Sequence, residues 1–199
     1  MSDDSTGEET RRITDVKALK VFTHPLRIRL YRALYASRAA TASQLADQVD
    51  EVVSLVSYHL RKLAEGGFIE DAPGHSGDGR ERWWRVSSEQ GFSYRTSDFT
   101  GPEGAAVAGS VTRQLLQARQ ERYSAYLDEL AAWPREWTDG AFSSEYLPRL
   151  TAAETAEMGQ ELGELIRRWT ERGRAAEEAG ETEGREHVAV HLYGFPSRP

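Results

Sequence analysis

The chain has 199 residues, 39% of them hydrophobic, enough for one domain or two small ones with a packed core. No apolar run is long enough for a membrane span, the start shows no charged-then-apolar leader, and cysteine is absent, which excludes disulfides and thiolate metal sites and points to a reducing cytoplasm. The net charge of −7 is unevenly spread, since residues 11–95 hold 14 Lys/Arg against 10 Asp/Glu and the remainder is acidic.

Residues 1–11 are polar and acidic and are expected to form a disordered tail. Asp15 to Phe22 reads as a short helix with Val16, Leu19 and Val21 or Phe22 inward. Thr23-His24-Pro25 breaks it, because proline pushes its predecessor out of the helical region and itself suits a first helical turn. The next helix, Pro25 to about Ser37, turns Leu26, Ile28 or Leu30, Ala33 and Leu34 inward. Arg27, Arg29, Arg32 and Arg38 lie outside, either as a solvated basic face or as phosphate contacts.

Thr41 followed by Gln44 is a capping box that opens a helix near Ala42, with Leu45, Ala46 and Val49 as its apolar stripe. A second helix runs from about Val52 to Glu65, and Gly66-Gly67 stops it with a left-handed cap. At about 100° per residue, Val53, Val56, Leu60 and Leu63 fall in one buried arc. Ser54, Ser57, Tyr58, Arg61 and Lys62 fall on or beside the opposite face. A helix seated in a DNA major groove needs short hydroxyls for base edges and cations for phosphates. The same residues would also suit an ordinary solvated face. His24 and His59, at a helix start and beside the buried arc, read as structural hydrogen-bonding residues.

After Gly66-Gly67 the apolar period shortens to two. Phe68–Ala72 and Arg80–Val86 read as two strands around a glycine-rich tip, Pro73–Gly79. Arg80 and Arg82 stand where a hairpin could reach phosphates or the minor groove, and Trp83 and Trp84 point to opposite faces, one of them toward the core. Two helices followed at once by a hairpin make the winged-helix arrangement.

These stretches, His24–Leu34, Gln44-Leu45-Ala46-Asp47, Val56–Glu70 and Gly79–Val86, resemble the ArsR-type winged-helix transcription regulators of bacteria over about residues 12–88. The resemblance implies a homodimer whose second motif helix enters the major groove of an operator, usually as a repressor. Ser57 and Tyr58 stand at the family's groove-contact positions, with Leu60 the buried anchor after them. The first turn reads Val52-Val53-Ser54-Leu55-Val56-Ser57 where the family carries a polar run, which shifts base readout to Tyr58 and Arg61. The expected DNA-binding set is therefore Ser54, Leu55, Ser57, Tyr58, Arg61 and Lys62 on the helix and Arg80 and Arg82 on the wing. Metal-sensing relatives use cysteines or a histidine-bearing last helix; this chain has no cysteine, and Glu103–Trp133 has no histidine. No metal and no cofactor is expected.

Phe92–Phe99 alternates and reads as a strand or an extended connector. The longest helix then runs from Glu103 to Trp133, and its small-residue start, Gly104–Ser110, with Val111 and Leu115 after it, suits close packing against a second copy. Pro134 ends it. Phe142–Leu150 reads as a strand, Thr151 with Glu154 as a capping box opening a helix to about Arg174, with Met158, Leu162, Leu165, Ile166 and Trp169 as its stripe. Ala175–Glu186 reads as a linker and His187–Phe195 as a final strand, with His187 and His191 as surface histidines. Trp133, Trp137, Phe142, Tyr146, Trp169, Tyr193 and Phe195 could line an effector pocket, or could be core or dimer contacts.

The expected fold is α+β and mainly helical: a winged helix-turn-helix over 12–88, then a C-terminal helical/α+β dimerisation region over 89–199 with a possible effector site. The expected function is that of a homodimeric, sequence-specific DNA-binding transcriptional regulator acting on double-stranded DNA at an imperfect inverted repeat. The alternatives are an effector-responsive regulator using the C-terminal aromatics, or a winged helix used for protein contacts. No phosphate loop, nucleophile elbow or paired-carboxylate site appears, so an enzyme is not expected.

Overall fold

The computed structural model describes residues 11–72, 81–89 and 91–197. They fall into two compact units, the first ending at Ser124 and the second beginning at Ala125.

In the first unit, α1 (Val16–Leu19) is opened by the Asp15 carboxylate, which accepts from the Ala18 N–H at 2.9 Å, and continues as a 3-10 turn, Lys20–Thr23. The His24 side chain caps α2 (Pro25–Ser37), its Nδ1 accepting from the Leu26 N–H at 3.2 Å. This helix buries Leu26, Ile28, Leu30, Tyr31 and Leu34. Tyr31 was not among the expected inward residues; its ring meets Phe22 and Phe92 edge-on at 5.5 Å each, and burial pushes its hydroxyl pKa up. The Thr41–Gln44 capping box closes as expected and opens α3 (Ala42–Val49). Asp50, left-handed at φ 52°, turns the chain into α4 (Val53–Glu65). Gly67 takes the left-handed conformation that stops α4, at φ 70°.

The sheet has one strand more than the hairpin predicts. The order is β2-β4-β3, where β2 is Ala39–Thr41, β3 Ile69–Asp71 and β4 Trp83–Val86, all antiparallel. Ala40 lies opposite Trp84 and Ile69 opposite Val86. As expected, the two tryptophans part: Trp84 is buried, whereas Trp83 stays half-exposed. Arg11 and Arg12 form β1, parallel to β5 (Phe92–Ser93), so the expected tail 1–11 loses its last residue to the fold. The Arg11 guanidinium donates to the carbonyls of Gly66 (2.9 Å) and Gly67 at the end of α4 and lies 4.5 Å from the Phe68 ring. A cation there complements the negative end of the helix. Residues 1–10, the tip 73–79 and Arg80 lie outside the described residues.

The long helix α5 (Gly101–Asp128) corrects two expectations. It stops short of Trp133, giving way to a 3-10 turn at Leu130–Ala132. Of the residues read as a surface for a second copy, Gly104, Ala108, Val111 and Leu115 are buried on their own chain, the last three in the core built by α2, α4 and the sheet, whereas Ala105 and Ala106 stay exposed. Gly104 makes that approach possible, since a Cβ there would stand 3.2 Å from the Phe99 carbonyl carbon. Gln114 Nε2 donates to the Thr23 carbonyl at 2.6 Å, and Arg32 Nη1 to the Ala118 carbonyl at 3.2 Å. The first compact unit thus includes most of α5, up to Ser124.

In the second unit, α6 (Arg135–Gly140) follows Pro134, and the Thr151–Glu154 capping box opens α7 (Ala152–Glu178) as expected. This helix takes in Ala175–Glu178, the start of the expected linker, because alanine and glutamate are strong helix formers. Of its stripe, Met158, Leu162 and Ile166 are half-buried, but Leu165 and Trp169 are exposed. The runs 142–150 and 187–195, expected as strands, are neither strand nor helix: among the described residues neither has a ladder partner.

Candidate nucleic-acid interface

One side of α4 is anchored. Val56, Leu60 and Leu63 are completely buried, each such side chain contributing about 1.5–3 kcal/mol through burial. Val53, placed in the same arc by periodicity, is instead exposed, because it occupies the first turn, one turn ahead of the packed stretch that begins at Val56.

His59 fixes the helix on a second flank. It is buried, its ring centroid 4.2 Å from that of His24, and its Nδ1 accepts from Arg27 Nε at 3.3 Å. Arg27 Nη1 also donates to the Val21 carbonyl at 2.9 Å. Both histidines therefore have the structural roles expected of them. Desolvation first, then the neighbouring Arg27 charge, lowers the His24 pKa; desolvation, His24 and Arg27 lower that of His59. Arg29 donates to the Val49 carbonyl and pairs with Glu51 at 3.6 Å. Arg27, Arg29 and Arg32 are thus fasteners between elements, a third use beside the solvated face and the phosphate contacts that the sequence suggests.

The opposite side of α4 is open. Ser54, Leu55, Tyr58 and Arg61 are exposed, and Ser57 and Lys62 half-exposed. Arg61 Nε donates to the Ser57 carbonyl at 3.3 Å, and among the described residues Arg61 has no acidic partner. Lys62 pairs with Glu65 at 2.7 Å and stands 5.9 Å from the Tyr58 ring. Val52 and Val53 add exposed apolar surface at the first turn. Hydroxyls, an aromatic ring, an accessible guanidinium and the Leu55 methyls thus share one helix face, which can supply donors to base edges, a cation to phosphate and contacts to thymine methyls.

On the hairpin, Arg82 is already engaged. It chelates Asp71 through Nε and Nη2, the latter at 2.8 Å, and its guanidinium lies 4.0 Å from the Trp84 ring. The Arg82 hydrogen bond lowers the Asp71 pKa. Arg85 pairs with Glu70 at 2.6 Å on the same two strands. The structure therefore brings six of the eight expected contact residues onto α4, holds Arg82 against the sheet, and leaves Arg80 outside the described residues. Sequence reasoning missed that Val52 and Val53 are exposed; both stand at the first turn, ahead of the first residue of the buried stripe, Val56.

In the second unit an open groove of about 490 Å³ is lined by Leu127, Leu130, Trp133, Arg135 and Thr138, among others; of the aromatics proposed for an effector pocket it uses Trp133 alone. Among the described residues no three His, Asp or Glu side chains are grouped so as to hold a metal ion, and no helix is long and apolar enough to cross a membrane.

A family model described as a helix-turn-helix domain matches residues 22–72, from the end of the first 3-10 turn to the residue after β3. This stretch is a helix-turn-helix domain, and with β4 added it forms a winged one, an architecture that DNA-binding regulators use to present a helix to the major groove. No curated protein matches the chain.

Proposed function

We propose that this protein is a homodimeric, sequence-specific DNA-binding transcriptional regulator, a repressor of the ArsR type, working in the cytoplasm. The observation that carries the reading is the two-sidedness of α4, with Val56, Leu60 and Leu63 locked inside and Ser54, Tyr58 and Arg61 open outside. In this reading α4 lies in the major groove of each half of an imperfect inverted repeat, half-site centres about one helical turn or a small multiple apart. Tyr58 and Arg61 read bases, Ser54, Leu55 and Ser57 line the approach, and Lys62, Arg80 and Arg82 serve flanking phosphates. No enzymatic step, metal or cofactor enters. Fluorescence anisotropy on genomic fragments, including the region upstream of its own gene, tests it. Binding to one fragment about a thousandfold tighter than to random DNA is expected. Equal affinity for all fragments would sink the reading.

The exposed Val52, Val53 and Leu55 favour one second reading, a winged helix whose α4 docks on another protein. The same titration separates the two, because that reading predicts no saturable DNA binding at all. An effector-responsive regulator remains a variant of the first reading; an effector in the Leu127–Thr138 groove would change operator affinity when added.

A further inference from the structure

Behind the open face of α4 sits a histidine pair whose bonded ring nitrogens both act as acceptors. His59 Nδ1 accepts from Arg27 Nε at 3.3 Å, and His24 Nδ1 accepts from the Leu26 N–H at 3.2 Å. A neutral imidazole has one nitrogen that accepts and one that donates, so each ring carries its proton on Nε2. A second proton can enter only at Nδ1, where it turns an acceptor into a donor. On His59 it would set one N–H against the N–H of Arg27. On His24 it would remove the side-chain cap of α2.

The surroundings oppose that proton in the same sense. The ring centroids are 4.2 Å apart, His59 is buried, and Arg27, on α2, brings a positive charge near both rings. Glu51, in the turn ahead of α4, acts the other way on both histidines, but it pairs with Arg29 at 3.6 Å. The Tyr58 ring meets His59 edge to face, centroids 5.1 Å apart, and supplies no counter-charge. His24 is exposed, so protons reach the pair from solvent although His59 is covered. What a proton would undo is placement. Arg27 ties α2 to the 3-10 turn through the Val21 carbonyl and to α4 through His59. His59 stands between Tyr58 and Arg61 in sequence, the two residues to which base readout falls.

We infer that His59 is a positioning residue for DNA recognition, and that the proton state it shares with His24 sets how firmly α4 is held against α2. With both rings neutral, the Arg27 bond locks the helix and Tyr58 and Arg61 are presented in fixed places. With the pair protonated, that bond is lost and the helix loosens, so operator binding weakens as the medium turns acid. A histidine facing phosphates does the reverse, since gaining a charge strengthens its attraction to DNA. The inference rests on the regulator reading for its effect on DNA, while the lock itself belongs to the fold.

An NMR titration of the full chain without DNA, from about pH 7.5 to about pH 5, tests the lock. Amides of residues 54–62 are expected to shift in step with the His59 ring, with a midpoint below the ordinary histidine value. The variant His59→Asn places an oxygen acceptor where Nδ1 stood and does not titrate, so the step should vanish. An α4 that stays still while His59 titrates, a His59 that takes up no proton in this range, or a step that survives the substitution overturns the inference. The wild-type titration decides alone if the variant fails to fold. Fluorescence anisotropy then tests the effect on DNA. From about pH 7.5 to about pH 5.5, operator affinity of the wild type should fall about tenfold or more, while affinity for random DNA holds or rises. The ratio of the two operator affinities should approach one in His59→Asn. Operator affinity that holds or rises in acid overturns the inference. A chain that binds no DNA at any pH, but whose α4 follows His59, would refute the regulator and leave the lock standing.

Discussion

Tyr58 and Arg61 contribute little to the fold, since neither side chain is buried and, among the described residues, Arg61 donates to the Ser57 carbonyl of its own helix. Tyr58→Ala and Arg61→Ala are therefore expected to leave the melting temperature nearly unchanged while costing about 1–3 kcal/mol of operator affinity and relaxing specificity. Equal losses on operator and random DNA, measured by anisotropy, would remove both from base readout. The valines at the first turn make a chemically separate prediction. If Val52 and Val53 meet thymine methyls, replacing thymine by uracil in the half-site should weaken binding several-fold while every hydrogen bond stays intact. Wild-type affinity for the uracil operator would exclude that contact. The His24–His59 pair, its rings tilted against each other at 4.2 Å, sets a pH dependence of stability. Both folded-state pKa values are lowered, so as pH falls through about 6.5 the unfolded chain takes up protons that the folded state resists. Stability should fall between about pH 7 and pH 5 and level off below the folded pKa values. The double variant His24→Asn, His59→Asn should flatten that slope in thermal melts; an unchanged slope would mean other groups set it.

At the scale of elements, α5 decides how residues of one helix should respond. Val111 and Leu115 are buried in the first unit, so Val111→Glu strands an unpaired charge in a dry core. A loss of more than about 3 kcal/mol is expected, seen as cooperative loss of the helical signal at lower denaturant. A well-folded Val111→Glu protein would show that α5 does not belong to that core. Helix signals were legible because each is local: two capping boxes, Pro25 at a first turn and Gly67 at a left-handed stop are decided by neighbours within four residues. Strand β2 was not legible, since three residues carry almost no periodicity and pair only with β4. Likewise the partner of the small residues in α5 could not be read, because Gly104 licenses close approach without saying to what; the answer is the Phe99 backbone. The runs 142–150 and 187–195 alternate as strands do, but alternation names a face and supplies no ladder partner. At the candidate interface the outer face of α4 followed from a 100° turn per residue, whereas the ties of Arg82 to Asp71 and of Arg27 to His59 needed coordinates, because both join residues far apart in sequence.

The molecule as a whole separates charge from fold. Residues 125–199 carry a net of −7, equal to the net charge of the entire chain, so residues 1–124 are neutral. A neutral head gives little long-range attraction for DNA, so under the proposed function discrimination would rest on short-range contacts from α4. The strand order has a consequence for how this head forms. The middle strand, β4, is the last of the three in sequence, and it pairs Ala40 with Trp84, 44 positions on, so that α3 and α4 lie inside the loop this pairing closes. Until β4 arrives, β2 and β3 have nothing between them, and the apolar side of α4 lacks the Trp84 and Val86 side of its core. Non-local closure of this kind slows folding, and it makes helix pair and hairpin one kinetic event. Stopped-flow refolding watched by tryptophan fluorescence and by far-ultraviolet circular dichroism should give the same single-exponential rate for the first unit. A fragment cut at 22–72, the bounds of the helix-turn-helix match, lacks β4 and should remain unfolded although it contains every residue of α4.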